Sequence, residues 1–579
     1  MATIQQKTSR GHKYWYIVQS RRVGGKPRPI VLAYLGKAEA LLKRLQGLRD
    51  RFKLKSYAHG AVALLLQLAG RLDLPAIINR QVKSPRPYLS PKPLRHHLTV
   101  GMTLVLAAIG RACRPTSKRG WRDWAQGTSA EYLLRCSLAK VDSQHFWDLM
   151  DALPVAAIPE IEAQLLEKVR SLQTLDSATL AYDTTNFFTF VATGNEKCTL
   201  AHRGKNKQKR SDLRQVGLAL VVTRHGGLPL FHLTYQGHWH DSKVFAKLIQ
   251  AIPERLVRLR FDPEQHTLIF DRGNNSKANL AAVTAAGLHY VGALTPYQHA
   301  SLLAEAESHY QPLSVKDQSL DVYRTEKQIW GQKRTILVFV SQRLKAGQLR
   351  GIYQTLSKRQ AALTALRQAL QTSRGALKDR RALEDKIRSL TAGQFLGGLF
   401  QWTIREKPND SFTFDFSINQ ERLRQLEDEL GFRILMTDRH DWATGANIEA
   451  YYGQAAVEQA FKNMKNPYHL AFRPQFHWTD QKIIVHFFLC MLGYLLSALL
   501  WNEAQSKTDF SGSIDSLLDR LGGIRLAAVM EKTGVKGKPA ISYQLEEMSA
   551  ADQALLLALQ GENLHRQRPL INGVGVYDQ

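Results

Sequence analysis

The first third of the chain passes from strand-like to helical spacing of its apolar residues. Residues 13–36, KYWYIVQSRRVGGKPRPIVLAYLG, form two β-like runs around a Gly-Gly-Lys-Pro turn, which predicts a hairpin. From about 40 to 170 the apolar residues recur at helical spacing, with breaks at Pro-containing stretches such as 84–93. The pattern therefore predicts an N-terminal hairpin followed by a helical domain.

From residue 178 onward the apolar period is that of strands. Strand-rich blocks and helical segments alternate along this part of the chain. The strand-rich blocks cover 179–190, 216–235, 266–273 and 288–295, and the helical segments cover 239–252 and 274–287. The predicted order is three mostly antiparallel strands, a helix, a strand, a helix and a strand, which is an α/β pattern.

The interval 311–440 reads as an insertion. A strand pair around 329–341 is followed by 356–390, which is rich in Ala, Leu, Lys and Arg at heptad-like spacing, and by strands through 432–438. We expect a helical arm here. Its basic face either contacts DNA along its length or is only exposed to solvent, and the sequence does not distinguish these alternatives.

One apolar run, IIVHFFLCMLGYLLSALLW at 483–501, reaches the roughly 18 residues that span a bilayer. It contains His486 and Ser497 and is the only such run in the sequence, so we expect a buried core helix rather than a membrane span. His486 is then a satisfied core histidine. The N-terminus has no apolar signal core, which predicts no export signal.

These patterns predict six regions along the chain. They are a basic hairpin and linker (1–60), a helical DNA-end-binding domain (61–173), the first part of the core (174–310), an inserted subdomain (311–440), the second part of the core (441–505) and a C-terminal helical region (506–579). A chain of 579 residues is several times the usual domain length, which agrees with such a division.

The charge balance points to a polyanionic partner. The formal net charge is +29 and the isoelectric point is near 9.9. The first 55 residues hold fourteen Lys and Arg against two acids, and residues 202–215 hold six against one. Local basic stripes on a folded chain suggest contacts with phosphates, although a solvated surface is the simpler alternative.

The cysteines and the nucleotide motifs exclude several classes. Four cysteines lie far apart without a CxxC pair, which predicts neither a disulfide framework nor a zinc ribbon and agrees with a reducing cytoplasm. The sequence has no GxxxxGK[ST] loop and no GxSxG elbow, so nothing in it indicates ATP use or acyl transfer.

Two acids interrupt segments that otherwise favour strands. Asp183 lies within LAYDTTNFFTF and Asp271 follows TLIF, although a buried unpaired carboxylate is costly. A third acid, Glu458, lies in NIEAYYGQAAVEQAFKNMKNP, which predicts one helix over 447–467. Carboxylates from two strands and a packed helix would compensate their charge by binding two Mg²⁺ ions, for which Mn²⁺ could substitute.

On an ideal helix four polar residues of 447–467 lie within about 60° of one another. They are Tyr451, Gln454, Glu458 and Lys465. The neighbouring apolar face, which contains Val457, Ala460 and Met464, would pack on a sheet. Taken alone, this pattern also fits an ordinary amphipathic surface helix.

At these residues the chain resembles the DDE transposases of bacterial insertion sequences, in the group marked by Tyr, two residues, Arg, three residues, Glu, six residues, Lys. The similarity lies in YDTTNFF, FDRGNNS and YYGQAAVEQAFKNMK and extends over roughly 175–500. It implies a ribonuclease H-like core, a mixed sheet flanked by helices, interrupted between the second Asp and the Glu. One residue departs from the signature, because Gln454 stands where the group has Arg.

The resemblance assigns roles residue by residue. Asp183, Asp271 and Glu458 would be the catalytic, metal-binding residues, and Tyr451 and Lys465 would contact phosphates. Gln can donate a hydrogen bond but cannot make a bidentate, charge-assisted phosphate contact. The complete set of expected DNA contacts is Tyr451, Gln454, Lys462, Lys465, Arg272, Lys205, Lys207, Lys209, Arg210 and Trp330.

Two further candidates have simpler readings. Trp330 would stack on a displaced base, as an inserted Trp does in resembling enzymes, or it packs in a core. His238 and His240 with Asp241 form an HxHD pattern that suggests a metal site, but an Asp cap at the start of a helix fits it better.

The expected function is DNA transposition. The protein would be cytoplasmic, bind the terminal inverted repeats of its element, cleave DNA and join the 3′-OH ends to target DNA, as a homodimer because two ends must be held together. Two alternatives stay open at this point. One is a catalytically silent DNA-binding protein derived from a transposase, and the other is a nuclease of the same fold without strand transfer.

Overall fold

A computed structural model describes most of the chain, in two compact units. It describes residues 2–9, 12–23, 26–40, 42–43, 52–82, 98–173, 175–176, 178–206, 208–316, 318–371, 379–407, 412–473, 476–531 and 540–567. Unit 1 comprises 1–173, 187–201 and 461–579, and unit 2 comprises 174–186 and 202–460. The predicted Pro-containing break at 84–93 and the site residue Lys207 lie outside the described residues.

Unit 1 begins with a three-stranded antiparallel sheet. Its strands, in spatial order, are β1 (Ala2–Ser9), β2 (His12–Val23) and β3 (Lys26–Gly36). The pairing of β2 with β3 confirms the predicted hairpin, and β1 adds a strand that the sequence pattern did not predict. The next strand, β4 (Phe52–Ala58), lies in the stretch predicted as a linker.

The described residues from 60 to 172 are mostly helical, as predicted. The helices are α1 (Gly60–Arg71), α2 (Leu74–Gln81), α3 (Val100–Cys113), α4 (Lys118–Gln126), α5 (Ala130–Leu134), α6 (Ser143–Ala152) and α7 (Ile158–Leu172). Side chains of Thr99, Ser117 and Asp142 cap the N-termini of α3, α4 and α6. The burial of α1 and α3 on nearly all sides explains their continuous apolar sequences.

Unit 2 is built on one large mixed sheet. Its strands are β5 (Thr179–Thr189), β6 (Arg214–Thr223), β7 (Pro229–Gln236), β8 (Thr267–Phe270), β9 (His289–Leu294), β10 (Gln311–Val315), β11 (Gln318–Ile329), β12 (Gln332–Val340) and β15 (Phe432–Thr437). The spatial order is β10-β11-β12-β15-β9-β8-β5-β6-β7. Strands β5, β8 and β9 are parallel neighbours, whereas β6 and β7 are antiparallel.

Helices connect the parallel strands of this sheet. They are α8 (Asp241–Arg258), between β7 and β8, and α9 (Lys277–Ala285), between β8 and β9, followed by α10 (Ala300–Glu307). From 179 to 294 the structure has three strands, a helix, a strand, a helix and a strand, which confirms the predicted order. Parallel strands need such crossovers, and β8 is buried at all four residues, which explains its unbroken apolar sequence TLIF.

The predicted insertion 311–440 is only partly separate from the core. Strands β10, β11, β12 and β15 belong to the large sheet. The predicted insertion was therefore too long at both ends. The distinct subdomain lies between β12 and β15. It contains α11 (Gln342–Ala369), α12 (Arg380–Thr391), β13 (Phe400–Glu406), β14 (Phe412–Ile418) and α13 (Gln420–Asp428), packed around their own apolar cluster. Helices α11 and α12 confirm the predicted arm.

The predicted single helix over 447–467 is two helices. They are α14 (Thr444–Tyr452) and α15 (Gln454–Lys465), which meet at Gly453. A Cβ atom at Gly453 would lie 2.8 Å from the carbonyl oxygen of Ala450 and 2.9 Å from Cγ of Arg224, so a side chain does not fit at this junction. Tyr451 therefore lies on a different helix from Gln454, Glu458 and Lys465, and the predicted common face includes only these last three.

The long apolar helix is α16 (Asp480–Lys507), in unit 1. It packs against α1, α3 and α6, which corrects its placement in the second part of the core, 441–505. Among the described helices it alone is long and apolar enough to cross a membrane, unless the bent pair α1 and α2 is counted as one span. Its most apolar window is 94% buried inside the protein, which confirms the prediction of a buried helix.

The C-terminal region was predicted to be helical, but it contains two strands as well as helices. After α17 (Ile514–Gly522) come β16 (Arg525–Glu531) and β17 (Ala540–Leu545), then α18 (Ala550–Ala558) and α19 (Leu564–Gln567). Strand β16 pairs with β17 on one side and with β4 on the other. Residues 525–531 therefore complete a sheet that begins at residue 52.

Candidate active site

Asp183 and Asp271 each follow directly after the last paired residue of two adjacent parallel strands. Tyr182 of β5 is in register with Phe270 of β8, so the next residue on each strand is an aspartate. Neighbouring strands are about 4.8 Å apart, and parallel strands present their carboxyl ends at the same edge of a sheet. The register of β5 and β8 therefore pairs the two aspartates, as the sequence predicted.

The two aspartates differ in their backbone setting. Asp271 directly follows β8, is exposed, and accepts a hydrogen bond at Oδ1 from the backbone N–H of Arg272 at 2.7 Å. Asp183 continues within β5, is partly buried, and accepts one at Oδ1 from the N–H of Thr184 at 2.7 Å. Each carboxylate is thus held by the N–H of the next residue along the chain.

The helix that carries Glu458 is anchored beside Asp183. Nε2 of Gln454, the first residue of α15, donates to the carbonyl oxygen of Tyr182 at 3.0 Å. Glu458 follows Gln454 by four residues, about one helical turn, so both lie on the same face of α15. Glu458 is exposed, whereas Gln454 is buried. The anchor fixes the start of the Glu458 helix next to the aspartate pair.

Tyr451 is buried beneath this edge of the sheet. Its hydroxyl accepts a hydrogen bond from Nη1 of Arg433 at 3.1 Å, and the guanidinium lies 5.4 Å from the ring centroid. Burial raises the pKa of Tyr451; the Arg433 charge opposes this, and the Asp271 and Glu458 charges reinforce it. Tyr451 is thus within electrostatic reach of two of the three acids. Its 8% exposure does not suit the predicted direct contact with DNA.

Arg433 was not predicted from the sequence. It lies in β15 and is the only charged residue in FRILMT, the sequence of that strand. A charged residue in an otherwise apolar strand was the signal that could have singled it out. It places a cation against Tyr451, in the group of residues around Asp271.

The predicted basic contacts are mostly exposed. Lys205, Lys209, Arg272 and Lys462 are exposed, and Lys465 is half-buried with Nζ 5.5 Å from the ring centroid of Phe187. Arg210 is exposed as well but makes two hydrogen bonds of 2.7 Å to Asp212, and this contact lowers the pKa of Asp212 to about 2. Arg210 is therefore already neutralised by a neighbour.

Trp330 does not pack in a core. It is 41% exposed and lies with Gly331 in the two-residue turn between β11 and β12. Both residues have positive φ, 51° and 83°, which is the geometry of a tight hairpin turn. The indole is therefore presented at the tip of the hairpin rather than inside the protein.

The donor set suits a hard divalent cation. Three carboxylates, two of them exposed, supply the oxygen ligands that Mg²⁺ prefers. Within the described part of the chain, no three His, Cys, Asp or Glu side chains are close enough together to hold a metal ion. The structure thus brings the two aspartates together and fixes the Glu458 helix beside them, without closing the three acids into one cluster.

The remaining histidine candidates have structural explanations. Among the described side chains, His238 and His240 belong to no group of three that could hold a metal ion. Helix α8 begins at Asp241 with His240 at the N-cap, so Asp241 is not the cap residue predicted. His486 is buried, and its Nε2 lies 3.2 Å from the carbonyl oxygen of Phe472. It is the satisfied core histidine that was predicted.

Comparison with known proteins identifies two domains in the chain. Residues 2–55 match the IS1634 family transposase N-terminal domain, and residues 188–475 match the transposase DDE domain. The second match includes Asp271 and Glu458 and begins five residues after Asp183. A search of curated proteins gives no match.

Among the solved structures that match this chain is one of a transposase. It is described as the cryo-EM structure of the piggyBac transposase synaptic complex with hairpin DNA. The similarity covers 79% of each chain at 8% sequence identity, with a TM-score of 0.39. The two family matches together span more than half of the 579 residues, and this chain belongs to the DDE transposases, with an N-terminal domain of the IS1634 type.

Proposed function

We propose that this transposase cleaves DNA at the terminal inverted repeats of its insertion sequence and joins the freed 3′-OH ends to target DNA. The observation that carries the proposal is the register of β5 and β8, which pairs Asp183 with Asp271 beside the anchored helix of Glu458. The mixed sheet with helical crossovers supports a ribonuclease H-like core.

Asp183, Asp271 and Glu458 would hold two Mg²⁺ ions, or Mn²⁺ in their place. When bound, such a pair activates an attacking oxygen and stabilises the leaving oxygen of a phosphodiester. Asp271 and Glu458 are exposed, so a DNA strand can reach their carboxylates. Gln454 holds the strand and the helix of this site together through the carbonyl of Tyr182.

Basic side chains next to the acids would position the DNA backbone. Arg272 follows Asp271 directly, and Lys462 lies one turn beyond Glu458 on α15, both exposed. A cation at each position would offset the repulsion between phosphates and carboxylates. The N-terminal sheet and the helices from 60 to 172 would bind the element ends, in a cytoplasmic homodimer that holds two ends together.

The test is cleavage of labelled DNA that carries the termini flanking the gene, with Mg²⁺ or with EDTA. We expect Mg²⁺-dependent cutting that falls by about a hundredfold or more in Asp183→Asn, Asp271→Asn and Glu458→Gln, because the charge that holds the cations is lost. Asp321→Asn is the matched control, since Asp321 is exposed on β11 of the same sheet.

The outcomes separate this function from its alternatives. Binding of the termini without cutting by the wild type would indicate a silent DNA-binding derivative. Cutting without joining to a second duplex would indicate a nuclease without strand transfer. Equal losses in the three site variants and in Asp321→Asn would contradict the assignment of the site.

A further inference from the structure

The subdomain between β12 and β15 carries a long helix with an unusual charge. Helix α11, Gln342–Ala369, contains six Lys and Arg residues and no Asp or Glu in 28 residues. A surface helix that is only solvated commonly carries both signs, paired three or four residues apart. The composition of α11 therefore differs from that of an ordinary solvated helix.

One face of α11 is committed to the subdomain core. Ile352, Leu356 and Leu363 are buried and pack in the apolar cluster of this subdomain. At 100° per residue these three side chains fall within about 40° of one another. The opposite face must therefore point to solvent.

Three basic residues lie on that opposite face. Arg343, Arg350 and Lys358 are exposed and fall within about 80° of one another, centred roughly opposite the buried stripe. They are spaced about 10–12 Å apart along the helix axis, at 1.5 Å per residue. Together they form a row of positive charge along about 22 Å of the helix, which we name the α11 basic row.

No acidic side chain in the described part of the chain forms an ion pair with the α11 basic row. Four other basic residues of the subdomain form ion pairs, Arg367 with Asp415, Arg380 and Arg388 with Glu384, and Arg422 with Glu429. Within the described residues, Arg343, Arg350 and Lys358 make no ion pair. The subdomain has acids available and uses them elsewhere, which leaves the row open to an external anion.

Between these charges the helix surface carries glycines, which have no side chains. Gly347 and Gly351 lie beside the row, and a Cβ atom at either position would meet no atom within 4 Å. Packing within the protein therefore does not require glycine there, although glycine weakens the interior of a helix. The absence of side chains lets a bulky backbone approach the helix between Arg343, Arg350 and Lys358.

We propose that the α11 basic row is a DNA-binding surface that contacts the phosphate backbone of duplex DNA. A duplex presents closely spaced phosphates along its whole length, which complements an extended row of unpaired cations. The inference deepens the proposed function and rests on DNA being the substrate. It assigns to the arm a sequence-independent contact, separate from the acids of the active site.

The test compares two triple variants with equal loss of charge. Arg343→Gln/Arg350→Gln/Lys358→Gln removes the row, and Arg380→Gln/Lys386→Gln/Arg388→Gln is the control on α12, where Arg380 and Arg388 already face Glu384. Binding of a labelled mixed-sequence duplex is measured against KCl concentration in EDTA, so that no cleavage occurs. Circular dichroism checks that all proteins are folded.

We expect the row variant to lower the slope of log Kd against log salt by about 2.7, since each phosphate contact contributes about 0.9. The control is expected to change the slope by less than about 0.9, the contribution of one phosphate contact. Equal slopes in the two variants, or a wild type that does not bind the duplex, would overturn the proposal. A slope difference without any cleavage of the termini would leave the surface established and overturn the catalytic proposal only.

Discussion

At the scale of single residues, Gln454 shows why a neutral amide suits a buried contact between a helix and a strand. The side chain is 9% exposed, and its Nε2 donates to the carbonyl of Tyr182. A guanidinium in the same place would bring five donors and a full charge into a buried site. The neutral amide joins helix and strand without that cost.

Replacing Gln454 tests this positioning role. We expect Gln454→Ala to slow cleavage of the termini by roughly tenfold, because a buried carbonyl next to Asp183 loses its donor, at a cost of about 1–3 kcal/mol. Gln454→Glu removes the amide donor at similar size and is expected to be slower than the wild type as well. Single-turnover cleavage rates at saturating protein measure the effect apart from DNA binding.

The control for Gln454 is Gln459→Ala on the same helix. Gln459 is exposed and lies about 140° around α15 from Gln454, away from the strand. We expect its cleavage rate to match that of the wild type. If both alanine variants slow cleavage equally, helix stability rather than the contact with Tyr182 explains the loss.

At the scale of elements, β16 links distant parts of unit 1. It is the middle strand of a sheet whose neighbours are β4, near residue 55, and β17, near residue 543. Leu526 of β16 is fully buried, whereas Leu54 of β4 is 70% exposed. The same residue type thus has opposite surroundings within one sheet.

This contrast predicts a large difference between two matched truncations. We expect Leu526→Ala to lower the free energy of unfolding by about 2–5 kcal/mol, since it removes buried methyl groups and leaves a cavity. Leu54→Ala is expected to change it by less than about 0.5 kcal/mol. Urea denaturation followed by fluorescence measures both, and similar midpoints would contradict the packing of β16.

At the scale of the whole molecule, unit 1 keeps buried histidines neutral, and His477 and His486 are two of them. Burial lowers the pKa of His477 well below its usual value, and the charges of Lys118 and Arg111 lower it further. Burial also lowers the pKa of His486, and the neighbouring His477 lowers it further. The centroids of the two rings lie 4.2 Å apart. Neither ring accepts a proton at the pH where an exposed histidine does.

Stability should therefore fall in mild acid. Below pH about 6.5 the unfolded chain takes up protons at His477 and His486 while the folded chain does not, so lowering the pH favours unfolding. We expect a loss of up to about 1.4 kcal/mol per histidine for each pH unit below that value. Urea denaturation at a series of pH values from 7.5 to 5 measures the slope.

Two glutamine variants distinguish these histidines from the others. His486→Gln retains a donor for the carbonyl of Phe472 but cannot be protonated, so its stability should depend less steeply on pH. His240→Gln makes the same substitution at an exposed histidine and serves as the matched control. An unchanged slope in His486→Gln would contradict the linkage.

Sequence alone determined the features that depend on local pattern. The N-terminal hairpin, the alternation of strands and helices from 179 to 294, and the buried helix at 480–507 follow from periods of two and 3.6 residues, which neighbouring residues fix by themselves. Asp183 and Asp271 could be singled out because an acid in or after an apolar strand needs compensation.

Only the tertiary structure decided what depends on contacts between distant residues. The register that pairs Asp183 with Asp271, the contact of Arg433 with Tyr451, and the pairing of β16 with β4 join segments far apart in the chain. The break at Gly453 and the true extent of the inserted subdomain likewise follow from packing and sheet order. Local periodicity carries no information about which distant segments meet, because many pairings bury the same apolar faces.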